Sequence, residues 1–227
     1  MVQEQRESST AKAIRILALS DKVQEIVYSE AVRERFGRID VVLAAGDLPF
    51  PYLEYVLTLL GVPLFYVPGN HDRPTHTADG RTVRFPEGAV ALDGRVQTIE
   101  LPNHRKLTVA GLGGSMRYSN GSNQYTNWEM GWRVARLETR ILFRRLRDRR
   151  AVDILLTHAP PAGLHDAEDL CHQGFSTFLG FLKRVKPRLH IHGHIHPSYG
   201  VDTRPVRYYE TEVRNVYGAE LIEIEAR

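Results

Sequence analysis

The sequence predicts an α/β fold in which the principal β-sheet is mostly parallel. Over the first third of the chain, short hydrophobic runs alternate with segments whose apolar residues recur at helical spacing. Such alternation is typical of strand–helix–strand units with right-handed crossovers. At 227 residues, with 42% hydrophobic and 25% charged residues, the chain has the size and composition of one globular domain with a substantial core.

Three strands and two helices are predicted in this first part of the chain. The strands are runs rich in valine, isoleucine and leucine. One helix ends at Gly37, and the other, which has a proline in its first turn, ends at Gly61. The predicted strands are 13–19, 39–45 and 62–67, and the predicted helices are 22–36 and 51–60.

Polar residues follow each of these three strands. Asp21 follows the first, Asp47 follows the second, and Asn70 and His71 follow the third. Functional groups in parallel sheets lie at the carboxyl ends of the strands, which meet at one edge. We therefore expect these side chains to lie close together.

The pattern changes after Val83, where short runs are separated by turns such as Asp93-Gly94, and this indicates antiparallel strands. The glycine-rich segment 111–115 lacks the Gly-Lys-Ser/Thr ending of a P-loop, so it is interpreted as a loop that leaves a strand. The polar run up to Asn127 is predicted to be a surface loop near the site. The predicted antiparallel strands are 89–92, 96–101 and 106–110.

A long helix is predicted over residues 128–150. Eight arginines between Arg133 and Arg150, against the two acidic residues Glu138 and Asp148, give this segment a net charge of +6. A nucleic-acid surface is one interpretation. A solvated helix face is favoured, because aromatic residues for base stacking do not alternate with the arginines. The apolar stripe of this helix is predicted to consist of Val134, Leu137, Ile141 and Leu142.

The second half of the chain supplies histidines near strand ends. A strand at 152–157 leads to His158. A later strand begins at Leu189 and carries His192, His194 and His196 at every second position. Because alternate side chains of an extended strand point the same way, these three histidines are predicted to converge. Neutral imidazole is the commonest metal ligand, so a metal site is favoured over a structural role. Between the two strands, a loop at 159–174 and a helix at 175–185 are predicted.

Composition limits the partners and the compartment. The formal net charge of +3 does not indicate a polyanionic partner, so nucleic acid is not expected. Cys171 is the single cysteine, which excludes an intrachain disulfide and favours the cytoplasm. The polar N-terminus is predicted to be a flexible tail, residues 1–11, ahead of one domain, residues 12–227. No apolar run is long enough to span a membrane, so no membrane partner is expected.

The predicted strand ends supply a mixed set of potential metal ligands. Carboxylate, amide and imidazole donors together suit manganese, iron or zinc better than calcium or magnesium. One carboxylate can bridge two ions about 3.5–4 Å apart, and such a pair clamps a phosphate and activates water for in-line attack. The predicted ligands are Asp21, Asp47, Asn70, His158, His194 and His196.

These motifs and their order resemble the calcineurin-like metallophosphoesterase superfamily, over nearly the whole chain. The most specific elements are Gly-Asn-His-Asp at 69–72 and Gly-His-x-His at 193–196, each after a strand. The resemblance implies two mixed β-sheets packed as a sandwich and flanked by helices. It also implies two divalent metal ions and hydrolysis of phosphomonoesters or phosphodiesters.

The resemblance also implies a role for each matching residue. Asp47 matches the bridging ligand. His71 matches the catalytic histidine, which contacts phosphate and can protonate the leaving oxygen, and Asp72 is expected to orient it. His192 matches no ligand and is expected to be structural or to support a ligand. One site, here called the His158 site, would be completed with Asp47 by Asn70, His158 and His194. The other, here called the Asp21 site, would be completed by Asp21 and His196.

One position departs from the family pattern. The family usually has Asp-x-His at the first motif, but here Val23 stands where the histidine would be, and valine cannot bind a metal. Water or a residue from the loop between His165 and His172 would have to fill the gap. We therefore expect weaker metal binding at the Asp21 site.

Together these features predict a metal-dependent phosphoesterase that acts on a small phosphorylated substrate. A metal-activated hydroxide would attack the phosphorus, with His71 assisting. Arg73 and Arg117 are candidate phosphate contacts, although each is equally well interpreted as a surface arginine. The alternatives are a metal-poor, inactive binding module of the same fold, which the change at Val23 would allow, and a nuclease that uses the arginine-rich helix.

Overall fold

In the computed structural model, which describes residues 13–76 and 79–225, four layers are stacked as helices, sheet, sheet and helices. The predicted tail at 1–11 lies outside the described residues. The described residues form fifteen strands: β1 (Ala13–Ser20), β2 (Val41–Ala44), β3 (Leu64–Tyr66), β4 (Thr75–His76), β5 (Thr82–Val83), β6 (Val90–Ala91), β7 (Arg95–Glu100), β8 (Lys106–Leu112), β9 (Ser115–Met116), β10 (Gln124–Tyr125), β11 (Ile154–Thr157), β12 (Leu189–His192), β13 (Val206–Tyr208), β14 (Thr211–Asn215) and β15 (Gly218–Glu225). The α-helices of the described residues are α1 (Ala31–Phe36), α2 (Phe50–Leu60), α3 (Asn127–Asp148) and α4 (Ser176–Val185).

Two mixed sheets form the two inner layers, as predicted. The first has the order β15-β1-β2-β3-β6, in which only the β15–β1 pair is antiparallel. The second has the order β13-β14-β12-β11-β8-β7, with antiparallel pairs at its two edges. Parallel register aligns Leu19 with Ala44 and Ala44 with Tyr66, so the segments that follow β1, β2 and β3 leave the first sheet at the same edge.

The core between the sheets is made by the apolar side chains that both sheets turn inward. This cluster includes Ile16, Leu43 and Phe65 of the first sheet and Leu156 and Ile191 of the second. All five are fully buried. Strands buried on both faces consist of continuous apolar runs, as these do. The outer face of the first sheet is covered by α1 and α2, and that of the second by α3 and α4.

Helix ends follow the local chemistry of the sequence. α2 has Pro51 in its first turn and ends at Gly61 in the left-handed conformation, as predicted. α3 begins with a capping box in which the Thr126 side chain and Glu129 satisfy each other's backbone N–H groups. No helix within residues 13–76 or 79–225 combines the length and apolar character needed to cross a membrane.

The prediction of a helix over 22–36 was wrong for its first half. Only α1 is helical, and residues 25–28 form turns in which Val27 and Tyr28 bond back to Gln24. Val23 and Ile26, which helical spacing placed with the buried residues, are 37% and 40% exposed. Without their burial, the segment lacks the continuous apolar face that stabilises a surface helix.

Two further corrections concern strands. β6 was predicted to be antiparallel, but it pairs parallel with β3 at the edge of the first sheet. The antiparallel β7–β8 hairpin was predicted correctly, but its turn contains a 3₁₀ segment, Pro102–His104. The Asp93-Gly94 turn instead lies between β6 in the first sheet and β7 in the second.

Candidate metal centre

A candidate metal centre lies where the strand ends of both sheets meet, and the structure brings the six predicted ligands together there. Asp21, Asp47 and Asn70 leave the first sheet after β1, β2 and β3. His158 follows β11, and the segment with His194 and His196 follows β12 in the second sheet. Contacts across the two sheets connect these residues, because Asp21 binds His194 and Asn70 binds His158.

The His158 site is the more compact half of the centre. Nε2 of His158 lies 2.9 Å from Oδ1 of Asn70 and 3.3 Å from Oδ2 of Asp47. The ligand atoms of Asp47, His158 and His194 lie within 4.8 Å of one another. A carboxylate, an amide oxygen and two imidazoles therefore surround one point, and this donor set fits manganese, iron or zinc.

Both histidines of this site are held by backbone carbonyls. Nδ1 of His158 donates to the carbonyl of Ala45 at 2.7 Å, which leaves Nε2 for a metal. Nε2 of His194 donates to the carbonyl of Cys171 at 2.7 Å, which leaves Nδ1. Metal-binding histidines usually donate their second ring N–H in this way, because the hydrogen bond fixes the tautomer and the ring orientation. These residues therefore fit a metal ion.

The ionisable groups of this site strongly affect one another's charge. Burial opposes charge on His158, but the adjacent Asp47 carboxylate outweighs it and raises the pKa of His158 to about 9. Burial likewise opposes charge on Asp47, but His158 lowers the pKa of this carboxyl to about 2. His194 differs, since burial and the nearby His158 lower its pKa to about 3. The field at Nε2 of His158 thus favours a positive charge, which either a proton or a metal ion can supply, while His194 is a neutral donor.

The Asp21 site is more open and has fewer donors. Oδ2 of Asp21 accepts the backbone N–H of His194 at 2.8 Å, and Oδ1 lies 3.4 Å from Nε2 of His196. Burial opposes ionisation of Asp21, but the hydrogen bond from His196 and the charge of His158 lower its pKa. Tyr199 stacks on His196 with ring centroids 4.9 Å apart, and its hydroxyl lies 3.2 Å from Nδ1 of His196.

The loop at 159–174 approaches the centre without filling the position of the missing histidine. The ring centroid of His172 lies 5.2 Å from that of His194 and 4.2 Å from that of Tyr199. Tyr199 also packs on His196. Nδ1 of His172 is bonded to Asp169 at 2.7 Å. His172 therefore contacts Asp169, His194 and Tyr199, whereas a substitute ligand would have to lie beside Asp21.

The backbone around the centre adopts unusual conformations. Asp21, Asp47 and His194 have positive φ angles of 62°, 55° and 71°. This left-handed region is costly for residues other than glycine and concentrates at functional sites. Two glycines allow the close approach of these segments, because a Cβ on Gly69 would collide with Oδ1 of Asp47 and one on Gly193 would collide with Oγ of Ser20.

Asp72 was expected to orient the His71 ring, but its contacts are different. Oδ2 of Asp72 accepts hydrogen bonds from the Tyr66 hydroxyl at 2.8 Å, from the N–H of Gly69 at 2.8 Å and from the N–H of Asp47 at 2.9 Å. Burial and the neighbouring Asp47 carboxylate raise the pKa of Asp72. Asp72 therefore holds the segments after β2 and β3 together.

We expect Asp72→Ala to lower the free energy of unfolding by about 2–3 kcal/mol, because three donors would lose their acceptor in a mostly buried place. Urea denaturation of both proteins would measure the difference. Asp202→Ala is a suitable control, since that carboxylate is exposed and bonds only within its own turn to Arg204. An Asp72→Ala protein as stable as the parent would contradict this role.

His71 lies at the rim of the centre. Its backbone N–H donates to Oδ1 of Asp47 at 2.9 Å, whereas its side chain is exposed. Arg73, two residues later, is also exposed. Arg117 is instead engaged with Glu129 at 2.9 Å and with the carbonyl of Gln124, so its contacts favour the interpretation as a structural arginine.

Strand alternation predicted that His192 would converge with His194 and His196, and this prediction was wrong. β12 ends at His192, and the chain then turns through Gly193 into the left-handed His194. His192 is fully buried, with Nε2 3.0 Å from Nδ1 of His165, and burial lowers its pKa far below the usual value. His192 is therefore part of a buried polar pair behind the centre.

Sequence reasoning missed several side chains that support the centre. The Tyr118 hydroxyl accepts from Nδ2 of Asn70 at 3.1 Å, which turns Oδ1 of Asn70 toward His158. Nδ2 of Asn123 donates to the carbonyls of Gly69 and Asp72. Only the prediction that the polar loop before Asn127 lies near the site anticipated them.

We expect Val23→His to raise the affinity of the Asp21 site for a divalent ion, because it places an imidazole donor two residues after Asp21. Calorimetric titration with Mn²⁺ would resolve the two binding steps. Val23→Phe is the matched control, since it adds a ring of similar size without a nitrogen donor. Two ions bound with equal affinity by the unmodified protein would contradict the expectation that Val23 weakens metal binding at the Asp21 site.

Comparisons with known proteins identify a matching family. A model of the calcineurin-like phosphoesterase family matches residues 14–198. Metallophosphoesterase domain-containing protein 1 of Homo sapiens is 47% identical over 53 residues, which are 22% of this chain and 16% of that protein. The match thus covers less than a fifth of this relative's length.

Solved structures share the fold. The crystal structure of TT1561 from Thermus thermophilus superposes with a TM-score of 0.55 and 15% identity, covering 95% of this chain and 100% of that one. Another crystal structure superposes with a TM-score of 0.61 and 14% identity, covering 94% and 99% of the two chains. At these identities the likeness concerns the fold alone.

Proposed function

Because the chain belongs to the calcineurin-like phosphoesterase family, we propose that it hydrolyses a small phosphate ester, either a monoester or a diester, with two divalent metal ions. The observation that carries the proposal is the convergence of Asp47, Asn70, His158 and His194 on one point at the strand ends. Manganese, iron and zinc are the metals that fit these donors.

Each group of the centre has a distinct task in this proposal. Asp47, Asn70, His158 and His194 would hold one ion, and Asp21 and His196, with Asp47 shared, would hold the other. When bound, the ions supply Lewis acidity and lower the pKa of a coordinated water. His71, exposed at the rim with its backbone fixed on Asp47, contacts the phosphate and donates a proton to the leaving oxygen.

A small substrate is favoured over nucleic acid. The chain's net charge of +3 is too small to hold a polyanion by itself. The arginine-rich segment belongs largely to α3, which covers the outer face of the second sheet, whereas the centre lies at the strand ends. Arg73 remains the exposed cation nearest in sequence to His71 and is a candidate contact for one phosphate group.

The proposal is tested by a screen of phosphorylated metabolites and chromogenic diesters across Mn²⁺, Zn²⁺ and Fe²⁺, combined with metal analysis of the purified protein. We expect bound metal and metal-dependent turnover of at least one small ester. A protein that binds no metal and turns over no ester would be a binding module of the same fold. Activity on single-stranded DNA that falls steeply with salt would indicate a nuclease instead.

A further inference from the structure

The outer face of α3 carries a stripe of large apolar side chains that stand in solvent. Trp128 and Leu146, near the two ends of the helix, are 73% and 71% exposed. Trp132, Leu142 and Phe143 between them are also more than half exposed. At 1.5 Å per residue, this stripe runs for about 27 Å along the helix. Globular proteins rarely expose so many large apolar side chains together, so the stripe marks an interaction surface.

The stripe points directly away from the protein. Successive residues of an α-helix are about 100° apart around its axis, which places all five side chains within an arc of about 100°. The buried Val134 and Leu137 lie on nearly the opposite side of the helix, against the second sheet and α4. A single helix face that projects outward in this way can meet a flat surface without a matching cavity.

Arginines line both edges of the stripe. Three exposed arginines follow one edge and a fourth lies at the other, in the order Arg136, Arg140, Arg147 and Arg145. The segment from Arg133 to Arg150 carries a net charge of +6. The acidic side chains of α3 are each paired with an arginine, Glu129 with Arg117, Glu138 with Arg184 and Asp148 with Arg147. Both edges therefore present positive charge.

A groove beside the stripe gathers further positive charge. It has a volume of about 470 Å³ and lies between β7 and the edge of α3 that carries Phe143. Its described lining contains no carboxylate, and it includes four arginines, Arg95, Arg140, Arg144 and Arg147. Guanidinium groups bind phosphate oxygens through paired hydrogen bonds. The groove is therefore suited to a phosphate group next to the apolar stripe.

We propose that the α3 face binds the surface of an anionic phospholipid bilayer. The tryptophan, phenylalanine and leucine side chains enter the boundary between headgroups and acyl chains, and the arginines at both edges contact lipid phosphates. Basic residues beside tryptophan, phenylalanine and leucine are typical of helices that lie in the membrane interface. α3 lies along the bilayer, because its other face is buried against the second sheet and α4.

Charge and shape favour a bilayer over a protein partner. The two edges of the stripe carry charge of the same sign, so two copies of this face repel each other, whereas an anionic bilayer lies beneath both edges at once. An acidic protein would need an apolar groove that fits a stripe one helix wide. Tryptophan, which has an apolar ring and a polar N–H, is also enriched at membrane interfaces.

Binding through α3 leaves the candidate metal centre open. α3 covers the outer face of the second sheet, whereas the centre lies at the strand ends. The membrane surface therefore lies beside the centre and does not cover it. The inference uses no residue of the centre and does not rest on the proposed hydrolysis, so it is tested by binding alone.

Co-sedimentation with vesicles tests the inference. We expect the protein to bind phosphatidylcholine vesicles that contain phosphatidylglycerol, and to bind pure phosphatidylcholine vesicles much less. Added salt should weaken the binding, because it screens the attraction between arginines and lipid. Both tryptophans of the chain lie on the α3 face, so their emission should shift to the blue and should be quenched by lipids brominated on the acyl chains.

A variant within the stripe tests the apolar contribution. Leu142→Glu should weaken vesicle binding at least about tenfold, because it removes an inserted side chain and adds a carboxylate. Phe85→Glu is the matched control, since it makes the same change of charge at an exposed ring outside α3 and should bind as the parent does. Unchanged circular dichroism spectra would show that both variants fold.

A double variant tests the electrostatic contribution. Arg136→Gln combined with Arg145→Gln should weaken binding to anionic vesicles about 30-fold and reduce its dependence on salt. Arg84→Gln combined with Arg207→Gln removes the same charge from exposed positions outside α3 and should have little effect.

Three results would overturn the inference. The first is a protein that stays in solution with anionic vesicles, and the second is vesicle binding that Leu142→Glu leaves unchanged. The third is binding without a blue shift or quenching, which would show attraction without insertion. Sedimentation velocity without lipid adds one more test, because a dimer that Leu142→Glu abolishes, in a protein that ignores vesicles, would assign the face to a second copy instead.

Discussion

Asp47→Asn is expected to lower the turnover of a small phosphate ester by about 10³-fold or more and to reduce the bound metal. Asp47 is the carboxylate proposed to bridge both ions, and it also supplies the negative charge that faces Nε2 of His158 at 3.3 Å. The asparagine keeps an oxygen that can accept the N–H of His71, so the loop should keep its conformation. The loss should therefore be chemical and not structural.

Initial rates and metal content measured on the same samples would check this expectation. Asp148→Asn makes the same chemical change at the exposed end of α3 and is expected to leave both quantities unchanged. If the Asp47→Asn protein kept its metal and its rate, Asp47 could not be the bridging ligand, and the proposed centre would be wrong.

His71→Ala is expected to lower kcat by about 10²–10³-fold while the metal content stays the same. The His71 ring is exposed and its backbone N–H is the group that bonds to Asp47, so the substitution should leave the proposed metal ligands in place. An effect on kcat without loss of metal would show that His71 contributes to catalysis without binding the metal.

Leaving-group dependence identifies what His71 contributes. If it protonates the leaving oxygen, the His71→Ala defect should shrink for nitrophenyl esters, whose leaving group needs no proton, and grow for alkyl esters. An equal defect for all esters would instead assign His71 to phosphate binding alone. His104→Ala, which removes an exposed histidine elsewhere, is the control, and a lower metal content in His71→Ala would contradict the assignment.

Much of the candidate centre could be predicted because its residues follow strands. Continuous apolar runs marked β1, β2, β3 and β11, and the polar residues after them therefore had to meet at the strand ends. The failures arose where tertiary contacts override local pattern. His192 was grouped with His194 on strand periodicity, but the strand ends at His192, two residues before His194, and a turn through Gly193 follows.

The residues that support the centre could not be predicted from any local pattern. Tyr118 reaches Asn70 across 48 residues, and the carbonyl of Ala45 reaches His158 across 113. Asp72 was assigned to its neighbour His71, but the fold places the N–H groups of Gly69 and Asp47 around its carboxylate. Such contacts depend on the three-dimensional path of the loops, which the sequence of one loop does not contain.

The sequence by itself determined the alternation of strands and helices and the polar side chains that follow the strands, because hydrophobic periodicity is a local property with a direct geometric consequence. The sandwich of two mixed sheets was expected from the family resemblance. Only the tertiary structure decided the orientation of those polar side chains, the true partners of Asp72 and His192, and the exposure of the second apolar face of α3. The physical reason is that side-chain direction and burial depend on what packs against a residue, and those neighbours are distant in the chain.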